Sequence, residues 1–115
     1  MSVVDERPAA DPAPRFTVAA AHDERGQTVR LVCDLDVDAA PLLRRWLDTF
    51  EAAGPVVELD MSGLTFLDST GIGCLYKLHH KVTDAGGIVV APRPPAPIRR
   101  ILEISGINRV IALTD

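Results

Sequence analysis

The stretch Leu59-Asp60-Met61-Ser62-Gly63-Leu64-Thr65-Phe66-Leu67-Asp68-Ser69-Thr70-Gly71-Ile72-Gly73 changes its apolar period midway, and that change decides the class of fold. At its start, Val56, Val57, Leu59 and Met61 make a short, mostly apolar strand of the kind expected to be covered on both faces. Beyond its end, Ile72, Leu75, Leu78 and Val82 mark one face of a helix running from about Thr70 to Thr83. Ser62 to Asp68 reads as the loop between them. Ser69 falls where an N-cap is expected, with a hydroxyl able to accept from an orphan amide of the first turn. Gly71 and Gly73 lie inside that turn. A helical glycine costs about 0.5–1 kcal/mol relative to alanine, so the pair points to close backbone approach by a strand or by something docking there.

Towards the N-terminus, Leu43, Trp46, Leu47 and Phe50 give another helical face. Asp36 or Asp38 can cap its start, Pro41 fits its first turn, and Gly54-Pro55 stops it. Before it, Phe16 to His22 and Val29 to Cys33 alternate as two strands around the turn Asp23 to Gln27, a hairpin. Towards the C-terminus, Gly86-Gly87 ends the second helix and Ile88 to Ala91 forms another buried strand. The proline-rich turn Pro92 to Pro97 leads to a third helix with Ile98, Ile101 and Leu102 facing in. Gly106 closes it, and Val110 to Leu113 is a last short strand.

The order β-β-α-β-α-β-α-β predicts a single α/β domain over residues 15–115. Its sheet is mostly parallel with an antiparallel N-terminal edge hairpin, and it has about three helices. Residues 1–14, with three prolines and no periodicity, read as a disordered tail. In such sheets sites form where strands feed helices, which brings the Asp34–Asp38 and Gly63–Gly73 loops together.

Composition narrows the function. A formal net charge of -4, with no large cluster of Lys or Arg, argues against nucleic acid or a membrane surface as the main partner. Arg44-Arg45 and Arg99-Arg100 read as solvated helix faces. No basic-then-apolar leader or spanning run is present, which implies a soluble cytoplasmic protein. Cys33 and Cys74 lie in separate elements without zinc-ligand spacing and read as buried, reduced thiols.

Catalytic and cofactor signals are weak. The loop has neither the phosphate-binding GxxxxGK[ST] pattern nor a G-x-S-x-G elbow, and no histidine is placed by sequence to serve Ser69 as base. His79 and His80 are adjacent, so they point about 100° apart on a helix and grip one metal poorly. Asp60 and Asp68 could form an acid pair, but Asp60 equally well ends a strand and binds loop amides. The expectation is a non-enzyme with no cofactor or metal.

The Leu59–Gly73 stretch resembles the signature of STAS domains, specifically bacterial anti-sigma-factor antagonists. The resemblance extends through Gly86-Gly87 and Ile98-Arg99-Arg100-Ile101-Leu102-Glu103-Ile104-Ser105-Gly106-Ile107, over about residues 16 to 113. It implies that Ser69, directly after Asp68, is the serine phosphorylated by a partner that is both serine kinase and anti-sigma factor; Thr70 is the lesser candidate. It implies further that the unphosphorylated form binds that partner and frees the sigma factor, and that a phosphoserine phosphatase reverses the switch. Asp34-Leu35-Asp36 resembles the family's turn after the second strand and puts Asp36 in its aspartate position. The implied partner-binding set is Asp36, Asp68, Ser69, Thr70, Gly71 and Gly73, with Tyr76 and Lys77 as rim candidates.

Four departures stand out. Cys33 replaces the family's usual glycine, Ala39 a frequent Thr or Ser, and Thr70 a common second Ser; the C-terminal helix of many relatives is expected to be missing. Two other readings remain: a non-switching STAS scaffold or adaptor of a signalling or lipid-transport complex, and a nucleotide-binding module using the glycine-rich helix start.

Overall fold

The computed structural model describes residues 15–24 and 26–115; the expected tail over residues 1–14 lies outside them. The elements follow the expected order. They are β1 (Thr17–Asp23), β2 (Gly26–Leu35), α1 (Ala40–Thr49), β3 (Val56–Leu67), α2 (Ser69–Asp84), β4 (Ile88–Pro92), α3 (Ala96–Ser105), a 3-10 turn (Ile107–Arg109) and β5 (Ala112–Thr114). The sheet order is β1-β2-β3-β4-β5, with β1 antiparallel to β2 and the remaining pairs parallel.

That order has a consequence for layering. Parallel strands laid down in sequence, each reached by a crossover of the same hand, carry all their helices on one face. Accordingly Val57, Leu59, Met61, Leu64 and Leu67 of β3 are buried, while Glu58 and Ser62 between them are exposed. Leu43 and Leu47 of α1, Leu75, Leu78 and Val82 of α2, and Ile98 and Leu102 of α3 fill one core against that face. The expectation of strands covered on both faces is therefore corrected. Apolar content misled at Val56 and Ile88, which stand at strand starts and are exposed.

β3 is the second correction. It does not end at Met61 but continues to Leu67, through the segment expected to be a loop. Against β2 its register runs Arg30↔Asp60 then Val32↔Gly63, and Cys33↔Leu64 then Asp34↔Phe66. Each shift puts one extra residue into β3, a bulge. Inward positions thus fall at Met61, Leu64 and Leu67, three apart, which hides the strand's usual period of two. β2 likewise runs past Cys33 to Leu35.

Both shifts are local. The helical faces stand as expected, with Leu43, Leu47 and Phe50 buried and Trp46 half-buried; Trp46 stacks on Phe50 at 4.8 Å between ring centroids. Gly106 takes φ 83° after α3, the left-handed closure that favours glycine.

Candidate functional site

The C-terminal ends of β2 and β3 deliver two turns side by side. The Asp68 amide donates to the Leu35 carbonyl at 3.4 Å, and the Thr65 hydroxyl donates to Asp34 Oδ1 at 2.6 Å. The two loops expected to meet therefore do meet. Thr65 is the residue left over by the second bulge, so the distortion of β3 is what turns its hydroxyl to Asp34.

Each turn is organised by an aspartate. Asp36 Oδ1 accepts from the amides of Asp38 (3.1 Å) and Ala39 (3.0 Å), and its carbonyl accepts from Ala40 at 2.9 Å. Asp68 sits in extended backbone, its Oδ1 accepts from the Gly71 amide at 3.1 Å, and its carbonyl accepts from Ile72 at 3.0 Å. Asp68, not Ser69, is thus the N-cap of α2. Aspartate caps as well as serine does, and the strand's persistence to Leu67 leaves Asp68 as the first residue outside it. Ser69 becomes the first helical residue. It is exposed, and among the described residues its hydroxyl has no hydrogen-bond partner.

The remaining site residues divide by burial. Thr70 is half-buried, Gly71 buried and Gly73 exposed. Close approach, expected at both glycines, holds only at Gly71. A Cβ there would lie 2.6 Å from Leu67 Cδ1 and 2.8 Å from both Cγ and the carbonyl oxygen of Leu35, whereas one at Gly73 would meet nothing within 4 Å. Gly71 is what lets α2 start against the end of β2.

Cys33 adopts φ 75° at the second bulge. This is the left-handed region where glycine is favoured, so the turn keeps a glycine-like conformation although a side chain is present. Cys33 is only half-buried, against expectation; Cys74 is fully buried, its thiol 3.7 Å from the Ala40 carbonyl, and burial pushes the thiol's pKa up.

In the two segments that meet, Val37 and Phe66 are 65% and 46% exposed, apolar positions that the sequence patterns did not single out. Residues flanking aspartates in a predicted turn carry no periodic signal. Tyr76 is half-buried. Lys77 binds Asp48 at 2.5 Å and Lys81 donates to the Leu47 carbonyl at 2.6 Å, so both lysines fasten α2 to α1. The hydrogen bond and charge of Lys77 hold the exposed Asp48 carboxyl below its ordinary value. On the uncovered face of the sheet, burial pushes Asp60 up. Hydrogen bonds from the Ser62 hydroxyl and amide, with the charges of Arg30 and Arg93, outweigh it and hold the carboxyl low. Asp60 thus binds its own loop and lies apart from Asp68. Among the described residues no group of three His, Cys, Asp or Glu could hold a metal ion, and no helix is long and apolar enough to cross a membrane.

The molecule is thus a one-faced α/β domain in which Asp68 caps α2, while the N-cap of α1 is Ala39 without a side-chain bond, so that Asp36, expected with Asp38 as a possible cap, instead holds the turn before the helix. The STAS domain family model matches residues 18–115, and the chain belongs to that family. Among its relatives is the anti-sigma-B factor antagonist of Bacillus subtilis (strain 168), 24% identical over 99 residues, covering 86% of this chain and 91% of the relative. An anti-sigma factor antagonist from Mycobacterium paratuberculosis superposes with a TM-score of 0.70 at 24% identity, over 87% of this chain and 86% of that one. Unphosphorylated SpoIIAA, an anti-sigma factor antagonist, superposes at 0.68 with 20% identity, over 86% and 89%. SpoIIAA from Bacillus in its phosphorylated form superposes at 0.62 with 20% identity, over 88% and 92%. These structural likenesses establish the shared fold.

Proposed function

We propose that this chain is an anti-sigma-factor antagonist working in the cytoplasm. In its unmodified form it binds an anti-sigma factor that is also a serine kinase, which releases the sigma factor. Phosphorylation of Ser69 by that kinase ends the complex, and a phosphoserine phosphatase restores it. The observation that carries this reading is the Ser69 hydroxyl, exposed at the first position of α2 while Asp68 does the capping. A serine relieved of the cap can be modified without unmaking the helix.

The physical chemistry of the switch is local. A phosphoryl group brings a charge of about -1.5 to -2. At a helix start it meets unpaired amides and the positive end of the dipole, so the fold tolerates it. The partner-facing surface does not. The added charge lies next to Asp68 and close to the turn that carries Asp36, where it repels acidic groups and displaces anything packed against the start of α2. The backbone stays where it is, and the contact surface changes sign and shape. Asp36, Thr70, Gly71 and Gly73 belong to this surface by position, with Gly71 acting through the packing of α2.

The test is a binding assay against anti-sigma kinases with and without ATP, followed by mass spectrometry of the peptide spanning Ser69. Binding that disappears as one phosphate forms on Ser69 supports the switch. Ser69→Ala should bind permanently and Ser69→Asp weakly. Binding that survives ATP with no modification would replace the switch by a constitutive adaptor.

A further inference from the structure

The two edges of the sheet are finished differently. β5 closes one edge with three residues, Ala112–Thr114, a length that gives little template for another strand. β1 closes the other with seven, Thr17–Asp23, in unbroken one-to-one register with β2. Among the described residues no strand pairs with the outer side of β1, so alternate amides and carbonyls along it face outward. The usual protections of such an edge are missing. Thr-Val-Ala-Ala-Ala-His-Asp contains no lysine, proline or glycine, and the register shows no bulge. Val18 is half-buried and every other position of β1 is exposed.

The strand is complementary to itself. Two identical strands paired antiparallel are related by a two-fold axis, so each residue meets the one equally far beyond that axis in the other copy. With the axis at Ala19, Ala19 meets its own counterpart, Val18 meets Ala20, Thr17 meets Ala21, Phe16 meets His22 and Arg15 meets Asp23. No like charges face each other, small side chains sit at the axis, and opposite charges meet at both ends. The faces match as well. Val18 and Ala20 stand opposite the buried Leu31 and Val29 of β2, on the helix side of the sheet. Phe16 and Val18 pack against the core but stay half-buried at its rim, where a second β1 would cover them.

We propose that β1 pairs antiparallel with β1 of a second copy of this chain, about a two-fold axis at Ala19, joining the two sheets into one continuous sheet. Backbone hydrogen bonds carry the pairing, and the rim residues Phe16 and Val18 supply its apolar part. The seven residues of β1 fall short of the roughly 20–30 a side of a standard interface, so the dimer forms reversibly and depends on concentration. It leaves Ser69 accessible, because α2 follows β3, two strands away from this edge.

The experiment is sedimentation equilibrium of the full chain up to about 1 mM, with amide hydrogen exchange followed by 15N NMR at low and high concentration. The parent should pass from monomer to dimer as concentration rises, and the outward-facing amides of Thr17–Asp23 should gain protection while those of α3 do not. Ala19→Lys and Ala19→Glu each set like charges face to face at the axis, and each should weaken self-association about fivefold; an equal mixture of the two should recover it. Ala19 is exposed, so both variants should keep the parent fold, which their 15N spectra check. A parent that stays monomeric throughout, a dimer whose β1 amides gain no protection, or a dimer indifferent to both substitutions would overturn the proposal. Should a variant fail to fold, protection of the parent's β1 amides still decides. No other protein enters the experiment, so its outcome is independent of the Ser69 switch.

Discussion

The starts of α1 and α2 are built on one plan with different tolerances. In each, an aspartate carboxylate accepts from the amide three residues on, Asp36 from Ala39 and Asp68 from Gly71. The residue at that third position differs for a reason. Ala39 is buried with its methyl group in the core, whereas a methyl at Gly71 would lie within 2.6–2.8 Å of Leu67 and Leu35. The first turn gathers two amides, those of Asp38 and Ala39, on one carboxylate oxygen, whereas the second packs the Gly71 backbone where no side chain fits.

Swapping the two third positions breaks the comparison most sharply. Gly71→Ala should cost about 2–3 kcal/mol, because one of its blocking atoms is the Leu35 carbonyl, which cannot rotate away. Ala39→Gly, at the N-cap of α1, should cost only about 1 kcal/mol, from one small buried group and a looser unfolded chain. Denaturant melts of both variants check this, and equal losses would deny that contact distinguishes the turns.

Removing the carboxylates comes next. Asp68→Ala should lose about 1 kcal/mol as a cap, and Asp36→Ala about as much through the two turn amides its carboxylate accepts. Ser69→Ala should be nearly neutral for stability, since Ser69 caps nothing, and on the proposed function partner binding should then no longer respond to ATP. A destabilisation by Ser69→Ala equal to that of Asp68→Ala would return the cap to Ser69.

Cys33→Gly probes the strain that accompanies the first turn. Left-handed backbone costs a residue with a side chain about 1–2 kcal/mol, and glycine's looser unfolded chain offsets about 0.5–1 kcal/mol of the relief. A small rise in melting temperature is expected, and a fall would mean that the Cys33 side chain contributes packing worth more than the strain.

The smallest effect is acid dependence on the open face of the sheet. Asp60 has a folded-state pKa below its unfolded value, about 3.9. Its contribution is therefore complete above that unfolded value and fades as pH falls through the lower folded one. Asp60→Asn should destabilise at pH 7 and converge on the parent in acid, as thermal melts across that range would show. A constant gap at all pH values would assign the loss to shape instead of charge.

The sequence by itself determined the order of elements, the helical faces and the pairing of the Asp34–Asp38 and Gly63–Gly73 regions. These follow from local periods and from connection rules that need no knowledge of packing. The motif around Ser69 was legible in the same way, as a run of residues at a strand-to-helix junction. Tertiary structure alone decided that β3 continues to Leu67, because two bulges against β2 move its inward residues to a spacing that no strand pattern announces. It decided also that Asp68 caps α2 and leaves Ser69 exposed, that Gly71 and not Gly73 is sterically required, and that one face of the sheet stays open. Each of these depends on which neighbour occupies a given volume of space. That is settled when residues distant in the chain, such as Leu35 and Gly71, come into contact.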